Sequence, residues 1–168
     1  VDISMVLYQN VTCDTEQVWL HFDAQADQEL FFQVGVPVLE RLSDYRPSLA
    51  LIAEDLPPLE DVPFDVPEGY GGLLFDAESQ PMDFYEPFTQ TESWIWIEEF
   101  YTLPTSGNAW LVAYHPEHLT GKVWVAMGTI EDFSDVTPAD WTSWVTQLAD
   151  FHETDGERDV TEQSCVEE

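Results

Sequence analysis

Short apolar runs separated by turn-forming residues restrict the folds open to this chain more than any other feature of its sequence. Eight runs of strand length are separated by clusters rich in Gly, Pro, Ser and Asn. Many short strands with such separators are typical of an antiparallel sandwich or barrel. We therefore predict a mainly β fold, an antiparallel and jelly-roll-like β-sandwich. The runs cover residues 6–8, 18–23, 30–36, 49–53, 73–75, 94–97, 109–114 and 123–127.

Two segments have helical patterns instead. We predict a short helix over residues 37–44, because Pro37 is tolerated in a first turn and a later proline prevents continuation. Thr137 and Asp140 form a capping box at the start of a second helix over residues 138–151. The apolar residues of this amphipathic C-terminal helix fall on one face, which we expect to pack against the sheet. That face consists of Trp141, Trp144, Val145, Leu148 and Phe151.

A single domain accounts for most of the chain. Its 168 residues are about one domain's length and are enough to bury a sizeable core. We assign residues 1–151 to one β-sandwich domain, which includes the helix. Residues 152–168 form a polar C-terminal tail, which we expect to fray apart from Cys165. Residues 54–70 contain four prolines among acidic residues, which predicts a long loop inside the domain.

A large excess of acidic residues limits the partners of this chain. It has 34 Asp and Glu against 4 Lys and Arg, a formal net charge of −30. Such a chain lacks the basic surface that binds nucleic acid or an anionic membrane. No apolar run reaches the ~18–20 residues of a membrane helix. We therefore expect no nucleic-acid partner and no membrane insertion, and cations are the natural partners of the negative field.

The first residue of the sequence predicts an exported protein, whereas two cysteines are too few to indicate a compartment. The chain begins at Val1 instead of Met, as expected of a mature form whose signal peptide has been removed. Cys13 and Cys165 are the two cysteines, and in an exported protein they would most simply pair, the alternative being two free thiols. We expect a secreted or outer-cell-surface location and a disulfide that ties the tail to the first strands.

The common catalytic motifs are missing from the sequence. It contains no GxSxG, HExxH, CxxC, Walker or GxGxxG pattern. Adjacent carboxylates such as Glu98 and Glu99 suit a glycosidase, but among 34 acidic residues some pair reaches a suitable separation by chance. We predict no enzymatic turnover and keep a carboxylate-pair hydrolase as the third alternative. A calcium site built from carboxylates of separate loops is more plausible than catalysis.

The scarce histidines are better candidates for a site. In residues 17–23 alternation places Val18, Leu20 and Phe22 on the core face of a strand. Trp19 and His21 then share the opposite face, close enough to address one small ligand or ion. This pair is the first candidate site.

The other three histidines differ in their settings. His115 ends a strand just before a turn, where a side chain is held by the sheet and still reaches a surface pocket. His118 follows in the loop and is expected to be more mobile. His152 ends the amphipathic helix, where the helix dipole favours it, and we interpret it as structural.

The pair Trp19-x-His21 resembles the copper site of a known family, the copper-repressible, surface-associated copper-binding proteins of methane-oxidising bacteria. In that family a Trp-x-His on a strand and a distant His hold copper, and the Trp is oxidised to kynurenine. The resemblance implies copper homeostasis as the function. It makes Trp19 the kynurenine precursor and His21 the first imidazole. The second imidazole is either His115 or His118, and the position of His115 at the end of a strand favours it.

The resemblance also implies further partners. Copper, as Cu(I) or Cu(II), is the expected metal, since imidazole suits copper and copper heads the divalent affinity series for N and O donors. Opening the indole ring would give an aromatic amine, which can face the metal where the indole N–H cannot. Calcium is implied as a second ion. A haem peroxidase-like surface protein is implied as the partner that oxidises Trp19.

Residues 102–112 resemble the strand–turn–strand of bacterial pre-peptidase C-terminal β-sandwich modules. The whole run from Thr102 to Val112, with Leu103-Pro104 and Gly107 at its turn, carries this likeness. Those modules are binding accessories, some with calcium, and are not enzymes. The likeness implies our alternative function, a calcium-stabilised extracellular carbohydrate- or protein-binding module with exposed Trp side chains as stacking platforms.

Overall fold

Nine strands form two antiparallel sheets in the computed structural model, which describes residues 2–166. One sheet has the order β1-β9-β3-β7-β6 and the other has the order β2-β8-β4-β5. The strands are β1 (Met5–Val11), β2 (Gln17–Ala24), β3 (Glu29–Pro37), β4 (Ser48–Ala53), β5 (Gly71–Phe75), β6 (Met82–Glu86), β7 (Thr91–Thr102), β8 (Gly107–Tyr114) and β9 (Gly121–Met127). The predicted antiparallel β-sandwich with one C-terminal helix is confirmed.

The connections between the strands follow a jelly-roll pattern. If β6 is set aside, each sheet has four strands, and the chain crosses from one sheet to the other between most consecutive strands. Two such four-stranded sheets are the arrangement of a jelly roll. All eight apolar runs lie inside strands, whereas the edge strand β6 has no counterpart among them.

The main core lies between the two sheets. Side chains that alternate along β2, β3 and β8 fill it, as the period of two requires. Val18, Leu20 and Phe22 are buried there, as predicted. Burial of these apolar side chains is the main stabilising contribution to the sandwich.

A second, smaller core lies on the outer face of the four-stranded sheet. Ala50, Ile52 and Val112 are buried on that face. The proline-rich segment 54–70 crosses over them and places Phe64 and Tyr70 against the sheet. The predicted loop therefore covers the outer face of this sheet. The edge strand β2 lies at the margin of the covered area.

The helix α1 (Pro138–Phe151) has the predicted bounds and the predicted capping box. Its apolar face packs less closely than expected. Phe151 is its one buried residue, while Trp144 is 43% exposed. The prediction that the whole stripe packs on the sheet is therefore wrong. Residues 37–44 form a single 3₁₀ turn (Glu40–Leu42) instead of a longer helix.

The segment after α1 is held against the sandwich. The Cys13–Cys165 disulfide is present and spans a sequence separation of 152. Closing a loop of that length stabilises the folded chain by ~5 kcal/mol in the chain-entropy model. The Cys165 backbone N–H also donates to the His118 carbonyl at 2.9 Å. The prediction that the tail frays is wrong for its described part.

No helix within residues 2–166 combines the length and the apolar character that a membrane crossing requires.

Candidate functional site

Trp19 and His21 lie side by side on the solvent face of β2. This strand forms one edge of the four-stranded sheet and pairs with β8, which places His21 opposite Trp110 and Trp19 opposite Val112. Trp19 is 37% exposed, and His21 is exposed as well. Their Cα atoms are ~6.7 Å apart, the spacing of alternate residues in a strand. The predicted shared face is therefore present.

Other aromatic rings support these two side chains. The Trp19 ring meets Phe64 edge to face, with centroids 5.3 Å apart, and Phe64 meets Tyr114 in the same way at 5.4 Å. The His21 ring lies 5.3 Å from Trp110. Contacts of this kind stabilise ring orientation beyond simple burial. The result is a supported aromatic surface along the sheet edge, which we call the Trp19 face (Trp19, His21, Phe64, Trp110).

A hydrogen bond fixes the tautomer of His21. Its Nε2 lies 2.9 Å from Oδ1 of Asn108, which is an acceptor. His21 Nε2 therefore donates, and in the neutral ring the lone pair of Nδ1 is left for a ligand. A metal-binding histidine usually donates its other ring N–H to an oxygen acceptor in the same way.

His115 lies apart from this surface. It follows β8 directly and is five residues beyond Trp110, the partner of His21. Five positions correspond to ~17 Å along a strand, and the odd number places it on the opposite side of the sheet. His115 is 5% exposed and stacks on Tyr45 at 4.7 Å. The structure does not bring it together with Trp19 and His21.

The environment of His115 is that of a neutral, buried imidazole. Its Nδ1 accepts a hydrogen bond of 3.1 Å from the Glu117 backbone N–H. Burial lowers the pKa of His115, more than the opposing effect of the Glu117 carboxylate raises it. Binding a metal through Nδ1 would first require breaking the bond to Glu117.

His118 is also distant from the Trp19 face. Its Nδ1 lies 2.7 Å from Oε2 of Glu16, one residue before β2 and five before His21. Across residues 2–166, no group of three or more His, Cys, Asp or Glu side chains has the arrangement of a metal site. Neither proposed second imidazole is therefore positioned beside His21.

His152 has the structural setting that its sequence position indicates. It caps the end of α1, and its Nδ1 lies 2.9 Å from the Leu148 carbonyl. Its Nε2 lies 3.1 Å from Oγ of Ser93, a pair with the geometry of a nucleophile and its base. Both residues are buried, and the Ser93 hydroxyl also accepts the Trp124 indole N–H. The pair is therefore a buried structural hydrogen bond that a substrate cannot reach.

The sequence did not indicate the supporting residues of the Trp19 face. Phe64 is 45 residues from Trp19 in the sequence, and the positions of Asn108 and Trp110 depend on the register of β8. A local pattern carries no information about such non-local contacts.

Comparison of the chain with protein-family models, with curated proteins and with solved structures finds no match. The candidate site therefore rests on its residues and their geometry.

Proposed function

We propose that this chain is an exported, non-enzymatic binding protein that recognises a carbohydrate through the Trp19 face. The observation that carries the proposal is an exposed tryptophan, Trp19, on the edge strand β2, whose ring the loop residue Phe64 contacts edge to face. Sugar rings have apolar faces that stack on indole, and such a preoriented ring loses little conformational entropy on binding.

Polar groups beside Trp19 suit the hydroxyl groups of a sugar. Asn108 lies opposite Asp23 on the neighbouring strand and contacts His21. Asn108, Asp23 and His21 offer an amide, a carboxylate and an imidazole next to an apolar surface. Such a mixed lining is typical of small-ligand sites. Jelly rolls include lectin domains, an analogy at the level of the fold alone.

The test is a binding screen against a glycan array, followed by affinity measurements on the best ligand. Trp19→Ala should weaken that affinity at least ~tenfold, the loss expected of an aromatic anchor. Trp144→Ala is the matched control, because Trp144 is similarly exposed but lies on α1. Absence of glycan binding, or equal effects of the two substitutions, would reject the proposal.

Copper capture is the second candidate function. Two observations favour it: Trp19 and His21 share a solvent face, and the Asn108 contact leaves His21 Nδ1 available. A kynurenine made from Trp19 would add an aromatic amine to that face. Opening the indole inserts two oxygen atoms from an external oxidant, dioxygen or hydrogen peroxide, to give N-formylkynurenine, and hydrolysis then releases formate and leaves the amine. We propose a haem peroxidase-like surface protein as the catalyst of the oxidation.

Copper analysis and tandem mass spectrometry of the same natively produced sample test this candidate. We expect kynurenine at position 19 in copper-loaded protein, and loss of copper in His21→Ala. The His115→Ala variant distinguishes two versions. Retained copper indicates a site built on Trp19 and His21 alone. Lost copper indicates that residues 113–120 rearrange to bring His115 to the metal. Intact Trp19 in copper-loaded protein would reject the kynurenine ligand.

A further inference from the structure

A groove lies between α1 and the edge strand β1, on the opposite sheet from the Trp19 face. Its volume is about 910 Å³. Side chains of β1, of α1 and of two intervening segments line it, and its aromatic members are Tyr8, Phe88, Phe133, Trp141, Trp144 and Phe151. This is the space that the apolar face of α1 leaves open because the helix contacts the sheet closely only near Phe151.

The aromatic side chains of the groove form a connected but uncovered cluster. Trp141 meets Phe88 and Phe133 edge to face, with both centroid distances 5.9 Å, and it lies 6.4 Å from Trp144. Phe88 is nevertheless 64% exposed. Exposed apolar clusters of this kind mark binding surfaces in folded proteins.

The charged residues that line the groove are all acidic. They are Glu86, Glu131, Asp132 and Asp150. Asp150 pairs with Arg158. Within residues 2–166 the other three carboxylates have no Lys or Arg partner, so no cationic side chain neutralises them at the margin of the aromatic surface.

We propose that this groove binds an amphipathic organic cation, a molecule with an apolar chain or ring system and an ammonium group. The apolar part would lie along Trp141 and Trp144, and the ammonium group would face Glu131 and Asp132. Aromatic faces and carboxylates together attract ammonium groups. The volume is within the ~300–1,000 Å³ range of small-molecule sites. A fatty acid would place its carboxylate against carboxylates, which disfavours an anionic ligand.

Isothermal titration calorimetry at physiological salt tests this site with dodecyltrimethylammonium below its micelle concentration. We expect saturable binding of one molecule per chain, and no comparable binding of dodecanoate, which has the same chain length and the opposite charge. Tetramethylammonium, which lacks the chain, should also fail to bind. Trp144→Ala should weaken binding about fivefold or more, and Trp19→Ala should leave it unchanged.

A second pair of variants separates the groove from the general negative field of the protein. Glu131→Gln with Asp132→Asn removes two charges from the groove, and Glu60→Gln with Asp61→Asn removes two from the exposed loop. Only the first pair should weaken binding. Equal effects of the two pairs would reject a built site. Equal binding of dodecanoate, or binding of a basic amphipathic peptide without binding of the detergent, would reject the proposed ligand class.

Discussion

Glu153 lies where three cationic residues meet. Its side chain is 1% exposed, and it contacts Arg41 at 2.7 Å and Lys122 at 3.2 Å. The Arg158 backbone N–H donates to it at 2.8 Å. Burial by itself would raise the pKa of Glu153, but these hydrogen bonds and charges lower it to about 2. The carboxylate therefore stabilises the folded state while it is ionised.

Replacing Glu153 with Gln should lower the free energy of unfolding at pH 7 by ~3 kcal/mol, because Arg41 and Lys122 lose a buried counterion. Since the folded pKa is depressed, the wild-type contribution is complete above pH 4.5 and is lost as the pH falls toward about 2. The difference between wild type and variant, measured by urea unfolding, should shrink over that interval. Glu68→Gln, at an exposed loop position, is the control. A pH-independent difference would contradict this account.

For single residues the sequence correctly predicted the properties that depend on local sequence, such as the direction of a side chain in a strand. Alternation along β2 correctly placed Trp19 and His21 on one face, because side-chain direction in a strand has a period of two. The position of His115 relative to His21 depends on the β2–β8 register, which the sequence pattern does not encode. Glu153 was missed for a similar reason, since Arg41 lies more than a hundred residues away.

Elements were predictable to the extent that their own residues define them. The capping box fixed the start of α1, and apolar runs located eight strands. Strand β6 was missed because most of its residues are exposed and no core-facing alternation marks it. The packing of α1 was mispredicted because an amphipathic pattern gives the apolar face of a helix without saying what covers it.

A close contact in strand β3 predicts that a side chain at Gly35 would destabilise the sheet. Its register with β7 shifts between Val34 and Gly35, and a Cβ atom at Gly35 would overlap the indole of Trp124 on β9. Trp124 is fixed there by its hydrogen bond to Ser93 on β7. Gly35→Ala should therefore cost ~3 kcal/mol of unfolding free energy, as overpacking in a tight core does.

A double-mutant cycle identifies the cause of that loss. Trp124→Leu removes Nε1, Cε2 and Cζ2, the indole atoms that overlap the new methyl group, so Gly35→Ala should cost ~1 kcal/mol or less in that background. Guanidinium unfolding of the four proteins measures the coupling. Equal costs in both backgrounds would show that backbone conformation at Gly35, and not Trp124, sets the penalty.

Over the whole molecule, charge is distributed unevenly. The chain has 4 Lys and Arg residues against 34 Asp and Glu residues, which gives the net charge of −30. Three of the four, Arg41, Lys122 and Arg158, contact Glu153, and Arg46 lies over the Trp96 ring. Nearly all cationic charge is thus used to hold the C-terminal segment, while the remaining surface carries acidic groups that repel one another.

That imbalance predicts that salt stabilises this protein. Raising NaCl from low to physiological concentration shortens the screening length to about 8 Å, which weakens repulsion between exposed carboxylates more than the buried contacts of Glu153. The thermal unfolding midpoint should therefore rise with NaCl, and choline chloride at equal ionic strength should have the same effect. Calcium chloride at matched ionic strength then separates screening from binding. An additional, saturable increase would indicate a specific calcium site, and a midpoint that falls with NaCl would show that ion pairs outweigh the repulsion.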